Sequence, residues 1–195
     1  MIKPFDFYFD FISPYAYLAH KEIRRIEKIN SIKISYKPIL LGAIHNLHGI
    51  KAPAFIPAKA KHMIRDCKLI AEKNKIKFKF NSYFPIRSLN LMRGVIVAEE
   101  DNYKSFYIDN IFDAIWQDGM NMNDDHIVQK ILKNLNVNPK TFYLRVSSNS
   151  IKESFKQKTN EAYEKGIFGA PSFVCNNKIF WGQDRIEFAI NEAKK

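Results

Sequence analysis

The sequence predicts an α/β protein whose small sheet is interrupted by a long block of helices. Three observations carry that prediction: a strand-helix-strand pattern up to Ile39, the near loss of strand signal from Pro57 to about Gly166, and its return in the closing stretch. With 46% hydrophobic residues in a chain of 195, one sizeable core can form, as a single domain or as a domain carrying an insertion.

The opening FDFYFDF (Phe5 to Phe11) alternates aromatic with acidic or amphipathic residues at period two, as a strand does. Ser13-Pro14 follows at once, a favoured helix cap before a favoured first helical residue. From Pro14 to about Ile29, apolar residues recur at helical spacings among Lys, Arg and Glu. SIKISYKPI (Ser31 to Ile39) alternates again, with Pro38 marking its end or a sheet edge. The simplest arrangement of this unit is a parallel β-α-β crossover.

Helical patterns then follow over Ala58–Asn74, Ser88–Glu100, Asn102–Asp118, Asp124–Leu135, Pro139–Val146 and Ser150–Lys165. Phe173–Cys175 and Lys178–Phe180 are short apolar runs separated by Asn176-Asn177, a good hairpin turn because Asn tolerates positive φ. Gly182-Gln183-Asp184 is expected to cap a final helix through Ile186, Phe188, Ala189 and Ile190. The order β-α-β, helices, β-β, α is that of a thioredoxin-like fold with an all-helical insertion domain. Residues 1–56 and 167–195 would form the thioredoxin-like part and residues 57–166 the insertion.

Composition narrows the function. The net charge of +11 is spread along the chain without a block of five like charges, and no zinc-finger, RNP or helix-turn-helix pattern accompanies it. Nucleic acid is therefore not expected as a partner, and the charge reads as a general field attracting anionic ligands. Neither the ~7–15 apolar residues of a secretory signal nor the ~18 of a membrane span occur, so a soluble cytoplasmic protein with no membrane partner is expected. Cys67 and Cys175 are too far apart for a CxxC pair and read as small buried residues. The five histidines show no HxxxH or HExxH spacing, no Gly-rich phosphate loop or GxSxG elbow occurs, and no metal is expected.

Three places can carry chemistry. Ser13 lies where a strand gives way to a helix, at the positive end of the helix dipole, where its hydroxyl can face an anion or a ligand thiolate. Ser13-Pro14-Tyr15-Ala16 has no sulfur, which excludes disulfide exchange there; an ordinary cap is the competing reading. Ala170-Pro171 precedes the third strand and suits a cis peptide or a simple loop end. Asp184 can receive a ligand ammonium, with Gln183 and nearby N–H groups receiving a carboxylate, or can merely cap its own helix.

Taken together, FYFDFISPYAYLA, GIFGAPSFV and FWGQDRIEF resemble the 2-hydroxychromene-2-carboxylate isomerases and the kappa-class glutathione transferases, within the DsbA-like thioredoxin superfamily. PILLGAIHNLHGIKAPAFIPAKAKHMIRD, FPIRSLNLMRG and IFDAIWQDG extend the resemblance over almost the whole chain. It implies glutathione as cofactor, a small aromatic or hydrophobic anionic substrate, and a homodimer. By position it implies Ser13 facing the glutathione sulfur and the Ala170-Pro171 backbone pairing with the cysteinyl part. Asp184, Gln183 and Arg185 would lie at the γ-glutamyl end, and Lys51 and Lys59 near the glycyl carboxylate or the substrate acid. Many relatives have Gly-Asn-Lys-Pro-Pro where this chain has Gly49-Ile50-Lys51-Ala52-Pro53, and Asn in place of Arg87 and of Gln183, so Ile50 and Arg87 bear on substrate choice. A glutathione-dependent isomerase is the expected activity. A kappa-like transferase, or a non-catalytic DsbA-like module that has lost its cysteines, are the alternatives; loss of Ser13 and Asp184 would mark the last, and both are retained.

Overall fold

The computed structural model describes residues 3–29 and 32–195. Among them β1 (Phe5–Phe9), β2 (Ile34–Pro38), β3 (Ser172–Cys175) and β4 (Lys178–Trp181) form one mixed sheet in the order β2-β1-β3-β4. The α-helix α1 (Pro14–Ile29) connects β1 to β2, which pair in parallel, while β3 runs antiparallel to both β1 and β4. This is the predicted order of elements.

β1 is central, and its alternation buries rings on one face. Phe7 stacks on Phe173 at 5.4 Å between centroids and meets Tyr36 edge-on at 5.0 Å, while Phe9 and Phe11 reach Phe112 at 5.7 and 4.8 Å. Tyr8 points to the other face and is also buried, among Ile39, Ile44, Ala162, Ile167 and Ala170. The strand stops at Phe9, short of the expected Phe11, because the Ser13 amide turns back to the Asp10 carbonyl at 3.0 Å. β2 is an edge strand, so Pro38 forfeits no ladder bond there. The expected start of that strand at Ser31 lies outside the described residues.

The helical block comprises α3 (Pro57–Lys73), α4 (Leu89–Glu100), α5 (Lys104–Trp116), α6 (Asp125–Asn134), α7 (Pro139–Val146) and α8 (Asn149–Glu164). Local chemistry sets several starts. Pro57 and Pro139 occupy first turns, and Asp124, Asn138 and Ser148 accept cap bonds from His126, Thr141 and Ile151 amides. Between Lys75 and Phe80 the lysines are exposed and Ile76, Phe78 and Phe80 half-buried, so the alternation there is a packed extended segment without a strand partner. One buried cluster runs from the sheet through Phe112 and Trp116 into these helices.

Two elements differ from expectation. α2 (Leu41–Leu47) follows β2, where no helix is expected from local pattern: seven residues containing Gly42, His45 and Asn46 carry little helical propensity, and Ile44 alone is buried. At the other end, α9 (Ile186–Ala193) begins later than Asp184, because Gln183–Arg185 form a separate 3-10 turn and α9 receives no side-chain cap. Asp184 is therefore not the cap of the last helix. The hairpin turn is as expected, with Asn176 and Asn177 at φ of 47° and 62°.

Candidate active site

Ser13 sits between the end of β1 and the first turn of α1. Its Oγ accepts the Ala16 amide at 3.2 Å, so the cap bond forms. The hydroxyl also donates to the Ala170 carbonyl at 2.8 Å, and Ser13 is buried. The ordinary-cap reading is thus met: the serine caps α1, and its proton points out of the helix at a backbone group on the return segment.

That backbone group belongs to a cis Ala170-Pro171 peptide. The Pro171 carbonyl accepts the Gly182 amide at 3.0 Å, which ties the cis turn to the 3-10 turn Gln183–Arg185, and that turn packs on α1. Gly182 has φ of 120°, and a Cβ there would lie 2.7 Å from the Asp184 carboxylate. Ser13, Ala170, Pro171, Gln183, Asp184 and Arg185 therefore share one end of the sheet. Asp184 is exposed and paired with Arg185 at 2.7 Å, while Gln183 is half-buried.

Ile50 and Lys51 follow α2, and two bonds fix their loop beside the return segment. The Ile50 amide reaches the His45 carbonyl at 2.8 Å, and His48 Nε2 lies 3.1 Å from the Ile167 carbonyl. Lys59 is exposed on the first turn of α3, and Tyr15 of α1 latches that helix by donating to Asp66 at 2.8 Å. Arg87 is not brought to this group. Its side chain lines a hollow of about 250 Å³ with Leu91, Met122, Asp125, Phe142 and Tyr143, and its amide bonds to Asn123.

The sequence did not single out three features of this end of the molecule. Trp181 is half-exposed against Phe168, with ring centroids 4.9 Å apart, and lies so close to Gly169 that a Cβ there would meet its indole nitrogen at 2.6 Å. Trp116 is fully buried and donates from its indole nitrogen to the Phe11 carbonyl at 2.8 Å, two residues before Ser13. Asp10 is fully buried three residues before Ser13. Its carboxylate accepts the Ile12 amide at 3.1 Å and the Leu41 amide at 2.9 Å. The only available signal for Asp10 was its closeness to Ser13, since period two marks it as one more polar strand residue.

Burial is the largest influence on Asp10 and pushes its carboxyl up from 3.8 to about 6, against the opposing pull of its hydrogen bonds. A carboxyl raised on folding stabilises the native state when protonated. Its contribution is full below its unfolded value and is lost as pH rises through about 6. From this group alone, stability should fall by up to about 3 kcal/mol between pH 4 and pH 7. Denaturant midpoints of wild type and Asp10→Asn across that range check this, and parallel pH profiles would contradict it. Burial likewise pushes the Cys67 thiol up to about 12; Cys175 is buried too, so neither is an exposed thiolate at this end.

Comparison with known proteins bears on the fold and the family. The chain is 26% identical over 190 residues to 2-hydroxychromene-2-carboxylate isomerase of Sphingobium xenophagum, covering 96% of each. It is 25% identical over 194 residues to glutathione S-transferase kappa 1 of Caenorhabditis elegans, covering 92% of this chain and 86% of that one. A solved 2-hydroxychromene-2-carboxylate isomerase superposes with a TM-score of 0.87 at 24% identity, over 95% of this chain and 91% of that chain, which speaks to the fold. Residues 5–192 match the DSBA-like thioredoxin domain. With that match running from the first strand into the last helix, the chain belongs to the family of DSBA-like thioredoxin domains.

Proposed function

We propose that the chain is a glutathione-dependent isomerase of a conjugated aromatic carboxylic acid. The observation that carries this reading is the Ser13 hydroxyl, set at the N-terminus of α1 and aimed at the Ala170 carbonyl of the cis peptide, where a thiol oxidoreductase would need a cysteine. The similarity to proteins named as isomerase and kappa transferase points the same way.

The residues suit glutathione by their donor set. Its thiol needs a hydrogen-bond donor beside a positive helix end, which Ser13 offers. Its two carboxylates need cations, and Lys51 and Lys59 are exposed. Its ammonium needs an anion, and Asp184 is available at the surface, with Arg185 and Gln183 beside it for the adjacent carboxylate.

Glutathione held here would supply a thiolate able to add reversibly to a conjugated carbon and so permit rotation there, with none consumed. Ser13 supplies the donor for that sulfur by turning its hydroxyl from the Ala170 carbonyl, while the Ala16 amide continues to hold its oxygen. The Ala170 carbonyl, thus released, accepts an N–H from the extended ligand. Lys51 or Lys59 binds the substrate carboxylate, and Trp181 with Phe168 offers an aromatic surface beside the cis turn. Ile50, in place of a polar amide, makes that side of the pocket more apolar.

A kappa-like transferase, favoured by the relative of that name, would share the thiolate and release a conjugate. Incubation with glutathione and a series of conjugated aromatic acids, with both reactants followed by chromatography, tests the two readings. Isomerisation at constant total glutathione supports the proposal. Stoichiometric loss of glutathione identifies the transferase, and no turnover of acids or electrophiles contradicts both.

A further inference from the structure

Two separate segments meet on the carboxylate of Asp10. Its Oδ1 accepts the amide of Ile12 within the β1–α1 turn, and its Oδ2 accepts the amide of Leu41, the first residue of α2. The main chain of the same residue closes the turn, because the Asp10 carbonyl accepts the Ser13 amide at 3.0 Å.

The residue between them is fixed as well. The Phe11 amide points at Met92 Sδ at 3.3 Å, and its carbonyl accepts from Trp116. The Ser13 turn is thus tied to α2 through Asp10, and to α4 and α5 through Phe11. Asp10 has no exposed surface, so no ligand reaches it. A buried carboxylate without a basic partner among the described residues is a costly way to satisfy two amides in a stable core. What it does that an apolar residue could not is hold these segments in one register at the point where Ser13 emerges.

We propose that Asp10 is a positioning residue of the active site: its carboxylate fixes the direction of the Ser13 hydroxyl by clamping the β1–α1 turn to the start of α2. The part of this that concerns the ligand thiol rests on the glutathione reading above; the clamp itself does not.

The test uses Asp10→Asn and Leu41→Pro in the full chain. Asp10→Asn keeps the shape but turns an NH₂ donor towards one of the two amide donors. Leu41→Pro deletes one N–H at a first helical position, where proline is tolerated and the preceding Leu40 is already extended. Amide hydrogen exchange without ligand reads the clamp. The Ile12 and Ser13 amides of Asp10→Asn should exchange about tenfold faster or more, with β3 unchanged. Leu41→Pro should give a smaller acceleration at the same two amides. With glutathione added, the thiolate absorbance should show Asp10→Asn losing most of the thiol pKa shift seen with wild type.

Unchanged exchange at Ile12 and Ser13 in Asp10→Asn overturns the proposal, whatever glutathione does. Faster exchange with an unaltered thiol pKa shift also overturns it, by making Asp10 a packing residue only. Should Asp10→Asn fail to fold, the same two readings on Leu41→Pro decide. Should wild type not bind glutathione, the functional reading fails, and the exchange data alone support or overturn the clamp.

Discussion

Replacing Ser13 by alanine is expected to return the thiol of bound glutathione towards its solution pKa and to lower turnover at neutral pH by about 10- to 100-fold. A hydrogen bond to a charged acceptor is worth about 1.5–3 kcal/mol, and in the proposed reaction a thiolate held here would have Ser13 as its side-chain donor. The helix dipole remains in the variant, so some depression of the thiol pKa should persist. The same change removes the bond to the Ala16 amide, at a cost of about 1 kcal/mol of stability. Ser13→Thr keeps the donor and the cap and should retain far more activity than Ser13→Ala. Steady-state rates against pH for the three proteins check this; equal rates for wild type and Ser13→Ala would remove the serine from the chemistry.

The largest effect on the fold is expected at Trp116. Its ring is fully buried, stacks with Phe78 at 6.1 Å between centroids, and lies within 5.6 Å of Phe80. Trp116→Ala should destabilise the protein by about 3–5 kcal/mol, a large share of the ~5–15 kcal/mol that holds a domain folded. Trp116→Phe keeps most of the ring but removes the donor to the Phe11 carbonyl, so about 1–2 kcal/mol is expected. Because Phe11 precedes Ser13 by two residues, Trp116→Phe should also weaken glutathione binding more than its stability loss alone requires. Urea midpoints and calorimetry on the two variants separate these effects. A Trp116→Ala protein as stable as wild type would show that the aromatic cluster does not hold the helical block to the sheet.

What could be read from the sequence was what short-range pattern determines. Period-two aromatics marked β1, Ser13-Pro14 marked the start of α1, and Asn176-Asn177 marked the hairpin, because each signal lies within a few residues of its consequence. α2 escaped because its seven residues have weak propensity and are stabilised by packing on α8 and the return segment. Asp184 was open to a capping reading because a 3-10 turn and a helix start look alike at that length.

The site shows the same division. Ser13 was legible, but its partner Ala170 lies 157 residues further on, and only the sheet order brings them within a hydrogen bond. Asp10 was hidden for the same reason. An acid in an alternating strand reads as solvent-facing, and its burial follows from the start of α2 closing over it from elsewhere in the chain. Arg87 opens instead onto a hollow among α4, α6 and α7, a placement set by helix packing rather than by local pattern.

The most direct test of the central claim is an ultraviolet titration of the glutathione thiol in the presence of the wild-type protein. The account predicts ionisation well below the pH at which free glutathione ionises. Titration at the solution value, or no binding at all, would contradict it and leave a family member that kept the fold without the thiolate chemistry.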